Sequence, residues 1–228
     1  MTHPSPMPKS SGSIITVGIT GASGAVYAQA VLRLLDADPR VQHVFLIASD
    51  AGTRLIATEL DVVAPDAKKL PSLLVGTAAK KIECLPNKDI GASIASGSAL
   101  LDGMVVVPCS AGALGSIAAG TAADLLTRAA DVCLKERRPL VLCLRETPLN
   151  RIQLENALRV HDAGATVMPA MPAFYYAPKK IEDLVEQFAY RVLAQLGLPQ
   201  EKQYRWKGRK DESSATESQR HREKRRRS

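Results

Sequence analysis

Three stretches put residues able to hold or move charge where the chain turns. In GITGASGAV, residues 18–26, Gly18, Gly21 and Gly24 alternate with Thr20 and Ser23 between a short apolar run and a helical pattern. PCSAGALGS, residues 108–116, repeats the arrangement after a second apolar run. At such strand-to-helix turns, free backbone N–H groups and the helix dipole favour a phosphate. A tight turn that only packs helix on sheet uses the same glycines. The third stretch, LCLRETPLN at 142–150, ends an apolar run on Arg145 and Glu146. An Arg there can pin a phosphate or a carbonyl edge, and a carboxylate can move a proton; an ion pair capping the strand is the other reading.

The glycine spacing is not GxGxxG, and the next apolar run ends at Ser49-Asp50, late for the acid that holds the ribose of a dinucleotide. A mononucleotide such as FMN therefore fits the first loop better than NAD. Cys84, Cys109, Cys133 and Cys143 form no CxxC pair, and with His3, His43, His161 and His221 they give no zinc spacing, so no metal is expected. None of the four histidines falls in a glycine-rich loop, which argues against a His base. Cys109 at a helix N-terminus reads as a nucleophile or as a small buried thiol.

The formal charge is +7, but residues 200–228 hold eleven Lys or Arg against five Asp or Glu, so +6 of it lies there. The body of the chain is nearly neutral. The end of the chain, HREKRRRS, reads as a solvated basic tail, and nucleic acid is not the expected partner. No stretch reaches the roughly 20 apolar residues of a membrane span, and the first 13 residues lack the apolar core of a secretory signal. A cytoplasmic protein follows: a disordered leader over 1–13, one domain over 14–199, and an arm with a disordered tail over 200–228.

The elements that must position these loops alternate. Short apolar runs at 14–19, 41–48, 81–85, 101–107 and 139–144 read as strands, and 139–144, with no polar alternation, reads as buried on both faces of a parallel sheet. Helical patterns follow at 25–38, 51–59, after residue 110, at 148–163 and at 179–197, and 165–174 reads as a sixth extended segment. Pro108 is expected to close the fourth strand, and Pro148 to sit in the first turn of its helix. The order predicts an α/β three-layer sandwich, Rossmann- or flavodoxin-like, with a doubly wound and mostly parallel sheet of about six strands.

With those segments assembled, the chain resembles the UbiX-type flavin prenyltransferases. The resemblance is carried by GITGASGAVYA, ATELD, SIASGS, PCSAGALGSIAAG, LLTRAADVCLKERRPLVLCLRETPL and MPAMPAFYYAPKKIEDLV. It implies transfer of a dimethylallyl group from dimethylallyl monophosphate to reduced FMN, giving prenylated FMN for a UbiD-type decarboxylase. It also implies a homo-oligomer, typically a dodecamer, with shared active sites and no metal. An FMN-dependent cysteine decarboxylase of the same fold, or a non-catalytic FMN-binding subunit, are the alternatives; the first would need a catalytic His and an Asn-containing substrate motif, and neither is evident.

By the same resemblance, FMN is expected at Gly21, Ala22, Ser23, Ser49, Ser110, Ala111, Gly112, Ala113 and Arg145. Ala111 and Ala113 stand where relatives often carry Thr or Lys, which leaves backbone contacts there. The prenyl phosphate is expected at Ser96, Arg128, Lys135, Tyr175, Arg191 and Trp206, with Ser98 near. Glu59, Lys135 and Glu146 are the expected catalytic groups, Glu59 in proton handling at the flavin. Arg191 falls at the border of the apolar arc of the last helix, which suits a side chain reaching toward an interface.

Overall fold

The computed structural model describes residues 12–62, 66–76 and 79–206. The expected tail beyond Trp206, and the leader up to residue 11, lie outside these. The elements run β1 (Ser13–Ile19), α1 (Ala25–Ala37), β2 (Val41–Ala48), α2 (Asp50–Glu59), a 3₁₀ turn (Ala67–Lys69), α3 (Leu70–Val75) and β3 (Ile82–Pro86). A second 3₁₀ turn (Ser93–Ala95), β4 (Gly103–Cys109), α4 (Ala111–Ala118), α5 (Leu125–Lys135), β5 (Leu140–Leu144), α6 (Arg151–Asp162), β6 (Thr166–Val167) and α7 (Ile181–Gln195) complete it.

The strands form one parallel sheet in the order β3-β2-β1-β4-β5-β6. The winding direction reverses between β1 and β4, and ligands of open α/β sheets bind at the carboxyl ends of the strands flanking such a point. Alternate side chains of each strand enter two cores. Val105 and Val107 of β4, with Val141 and Cys143 of β5, pack under α1 and α7. Met104, Val106, Cys109, Leu140, Leu142 and Leu144 pack under α4, α5 and α6. Every residue of β4 and β5 is buried, which is why both runs lack polar alternation.

Five expectations are corrected. Strand β4 does not close at Pro108 but runs through it to Cys109, which pairs with Leu144. The second glycine-rich loop opens two helices rather than one, because Gly120 and Ala122 take positive φ and Asp124 caps α5 anew in a capping box with Thr127. Helix α6 begins at Arg151, capped by Asn150 with Gln153, and Pro148 stays in the preceding loop. The sixth extended segment shrinks to two strand residues, since Pro169 and Pro172 have no N–H to give a ladder, although Met168 and Ala170 still donate to Leu142 and Leu144. Helix α3, in the stretch read as a connection, has Pro71 in its first turn and buries Leu70 and Leu74.

Candidate active site

The carboxyl ends of four strands are stitched together by their first loop residues. Ser49 N–H donates to the Ile19 carbonyl at 2.9 Å, and Arg145 N–H donates to the Cys109 carbonyl at 2.9 Å. Between them Thr20 is the pin. Its N–H and Oγ1 both donate to the Pro108 carbonyl, at 3.2 and 2.8 Å, and Oγ1 accepts from the Ser110 N–H at 2.8 Å. Both glycine-rich loops are thus one rigid unit at the switch point, and the buried Thr20 is a residue that sequence reasoning noted only as a hydroxyl in the turn.

The glycines of the first loop serve close packing. A Cβ on Gly21 would lie 2.5 Å from the Ala51 side chain, and one on Gly52 would lie 2.6 Å from the Ile19 carbonyl oxygen. These contacts let α2 start directly against the end of β1. Gly112, at the start of α4, is different: a Cβ there would meet nothing within 4 Å, so the second loop opens onto free space. Ser110 Oγ accepts from the Ala113 N–H at 3.2 Å, and Ser49 Oγ accepts from the Gly52 N–H at 3.0 Å. The N–H groups of Ala111 and Gly112 belong to a first turn that the helix cannot satisfy internally.

The positive end of α1 is already filled, by the protein itself. The Glu59 carboxylate, at the last turn of α2, accepts from the Gly24 N–H at 2.9 Å and from the Ala25 N–H at 2.7 Å. Burial opposes its ionisation, but hydrogen bonds from Ser23 and these two N–H groups, with the nearby charge of Arg145, outweigh burial and hold the carboxyl below its usual range. The structure therefore places Glu59, Ser23 and Arg145 together, and the first loop offers its helix dipole to a side chain.

Arg145 and Glu146 are both exposed and form no ion pair with each other among the described residues. Glu146 instead accepts from the Thr147 N–H at 3.0 Å. The capping ion pair is thereby replaced by two charged side chains free to meet a ligand. Cys109 is fully buried, and burial pushes its thiol up to about 12, so it is packing rather than a nucleophile.

A second cluster lies at the opposite edge of the sheet. Helix α5 runs back along the strands, and its last residue, Lys135, stands just before β5 begins. Lys135 pairs with Glu136 beside Gly97, where a Cβ would collide with both side chains. Arg138 donates to the Gly97 carbonyl at 2.8 Å, and Arg128 donates to the Ala95 carbonyl at 3.0 Å and to Asp131 at 2.8 Å. Ser96 and Ser98 bond each other at 2.8 Å in this loop. Within one chain, Lys135 thus lies about 16 Å, the length of α5, from the helix start near the carboxyl edge, and the Ser96 loop runs alongside between Arg128 and Arg138.

A third cluster adjoins the first. Tyr27, which covers Gly24, packs on Phe188 with ring centroids 4.8 Å apart. Phe188 lines a small cleft with Tyr175, Tyr176, Arg191, Gln187 and Tyr204. Tyr175 is 58 % exposed and Trp206 68 %, with centroids 6.2 Å apart. Tyr204 was missed in the sequence, although an aromatic beside Trp206 in an otherwise polar stretch was the available signal.

The Flavoprotein family matches residues 4–192 of the chain. The flavin prenyltransferase UbiX of Pseudomonas aeruginosa is 44% identical over 196 residues, 84% of this chain and 93% of the relative. The chain belongs to the UbiX flavin prenyltransferase family. Among solved structures, AnUbiX (PadA1) in complex with FMN and dimethylallyl pyrophosphate superposes with a TM-score of 0.77 at 38% identity, covering 87% of this chain and all of that one. The dodecameric FMN-dependent UbiX-like decarboxylase of Escherichia coli O157:H7 gives 0.75 at 39% identity, covering 86% and 100%. Among the described residues, no helix is long and apolar enough to cross a membrane.

Proposed function

We propose that this protein is a flavin prenyltransferase that joins the C5 group of dimethylallyl monophosphate to N5 and C6 of reduced FMN, making prenylated FMN for a UbiD-type decarboxylase. The observation that carries the reading is the adjacency of two unlike surfaces at the switch point. One is a donor-rich edge with an open helix start and Arg145; the other is an aromatic cleft holding Arg191. A flavin with its phosphate suits the first, and an allylic phosphate suits the second.

The residues present fit FMN. The space above Gly112 and the first-turn N–H groups of α4 admit a phosphate or a ring edge. Gly21, Ala22, Ser23, Ser49, Ser110, Ala111, Gly112, Ala113 and Arg145 would hold it, with Ala111 and Ala113 acting through their backbones. Reduced FMN supplies the nucleophilic N5 and C6. Glu59 stays in the site as an ionised acceptor beside Arg145, since its donors keep it charged.

The departing phosphate gathers negative charge, which the cationic side chains of Arg191, Arg128 and Lys135 are proposed to neutralise. Tyr175 and Trp206 offer π faces to the apolar C5 group and exclude water. Glu146, exposed and unpaired with Arg145, is the group proposed to move a proton. Ser96, Arg128 and Lys135 are proposed to complete the pocket from a neighbouring copy, because Lys135 lies at the far end of α5 in its own chain. A closed homo-oligomer follows, proposed to be a dodecamer, working in the cytoplasm with its four cysteines free. The cysteine-decarboxylase reading is disfavoured by histidine placement: His43 lies on β2 bonded to Glu83, and His161 is exposed near the end of α6.

The test is anaerobic incubation with reduced FMN and dimethylallyl monophosphate, in parallel with the diphosphate, followed by mass spectrometry. A flavin heavier by one C5 unit is expected, formed much more slowly by Glu146→Gln and Arg191→Ala. Unmodified FMN after prolonged incubation with either donor refutes the assignment.

A further inference from the structure

Residues 198–206 leave α7 and return along it as an arm tied at both ends. At its foot, Leu198 is buried, the Pro199 carbonyl accepts from Arg40 Nη2 at 3.1 Å, and Gln200 Nε2 donates to Asp38 Oδ2 at 2.9 Å. At its tip the tie is a single side chain. Gln187 Nε2 donates to the Lys202 carbonyl at 3.1 Å, and its Oε1 accepts from the Tyr204 N–H at 2.8 Å. One primary amide thus closes a bidentate pair with the arm's backbone, as a neighbouring strand would.

Gln187 lies one helical turn before Arg191 on α7, so both face the same cleft. The clasp brings the Tyr204 ring to 5.2 Å from Tyr175 and 5.8 Å from Tyr176, centroid to centroid. Both spacings fall in the range of favourable aromatic pairs. Polar residues dominate the arm between its foot and Tyr204, and its backbone would otherwise keep the conformational freedom that opposes ordering.

We propose that Gln187 is a positioning residue that holds the arm so that Tyr204 completes an aromatic wall beside Arg191, and that this wall sets affinity for the apolar chain of the prenyl phosphate. The proposal rests on the prenyltransferase reading for its second half only. Gln187→Leu removes both hydrogen bonds at similar volume; Gln187→Glu keeps the acceptor for Tyr204 and loses the donor to Lys202. Tyr204→Ala deletes the wall without touching the clasp.

Trp206 is the single tryptophan of the chain, so its fluorescence reports the arm tip without any ligand. Trp206 is already 68 % exposed, so acrylamide quenching should rise by up to about half in Gln187→Leu and by less in Gln187→Glu. The KM for dimethylallyl monophosphate should rise about tenfold in Gln187→Leu and in Tyr204→Ala, with kcat within about threefold and FMN binding unchanged. Unchanged quenching in Gln187→Leu overturns the clasp whatever the reaction proves to be. Increased quenching with an unchanged KM, or a Tyr204→Ala variant with a normal KM, overturns the donor role. Wild-type protein that makes no prenylated flavin overturns the reading beneath it, while the quenching result still decides the clasp.

Discussion

Replacing Glu59 by Gln separates a carboxylate that anchors a helix from one that shuttles protons. The carboxylate takes two backbone N–H groups at the start of α1 and a hydroxyl from Ser23. Hydrogen bonds to a charged group contribute about 1.5–3 kcal/mol each, against about 0.5–1.5 for neutral ones. A glutamine offers one neutral acceptor and turns its NH₂ toward the second N–H, so one bond weakens and one is lost. The expected destabilisation is about 2 kcal/mol, which for a chain of this size lowers Tm by about 4–8 °C. The folded carboxyl titrates below its unfolded value, so this contribution is present above the usual carboxylate range and fades as pH falls through the depressed folded value. The gap between wild type and variant should therefore narrow in acid. Thermal unfolding at matched protomer concentration, near neutral pH and at successively lower pH, measures it. A variant within about 1 °C of wild type at neutral pH, or a gap that widens on acidification, refutes the anchoring role.

Alkylation of the native protein at mildly alkaline pH should modify the half-buried Cys84 slowly, and Cys109, Cys133 and Cys143 only after denaturation, since burial raises all four thiols and encloses the last three. Fast labelling of Cys109, read by peptide mass spectrometry, would restore it as a nucleophile. Asp38→Ala deletes the acceptor shared by Arg40 and Gln200 and should destabilise by about 2 kcal/mol, seen as a Tm lower by about 4–8 °C; an unchanged Tm would show that the foot of the arm contributes nothing.

Most of the sheet was legible because buried parallel strands carry apolar runs, nearly unbroken in β4 and β5 and interrupted by Thr16 in β1 and by Gln42 and His43 in β2. What failed to show was governed by local backbone chemistry. Pro108 reads as a terminator, yet a proline is tolerated in β4 where the register shifts. The break between α4 and α5 rests on positive φ at Ala122, a residue with no sequence signal for it. In the site, residue types and loop positions pointed to Ser23, Ser110 and Arg145, because a loop after a parallel strand has one place to go, whereas Ser49 came only from the family resemblance. Glu59 was expected at the site, but its grip on α1 joins residues 34 and 35 apart in the chain, and no spacing rule encodes that. The hydrogen bonding of Gln187 to the returning arm is hidden for the same reason.

The separation of Arg145 from Lys135 bears on how copies of this chain would be arranged if they share the proposed pocket. Each protomer presents one half of the proposed pocket at the carboxyl edge of its sheet and an unlike half at the amino edge, and the two cannot meet across their own sheet. Contacts between unlike faces either close into a ring or run on as an open filament, according to the rotation between neighbours. An open chain of protomers would leave an idle half at each end, whereas a ring or cage wastes none. Closure of the assembly is then the condition under which every chain contributes to as many finished pockets as it has halves to give.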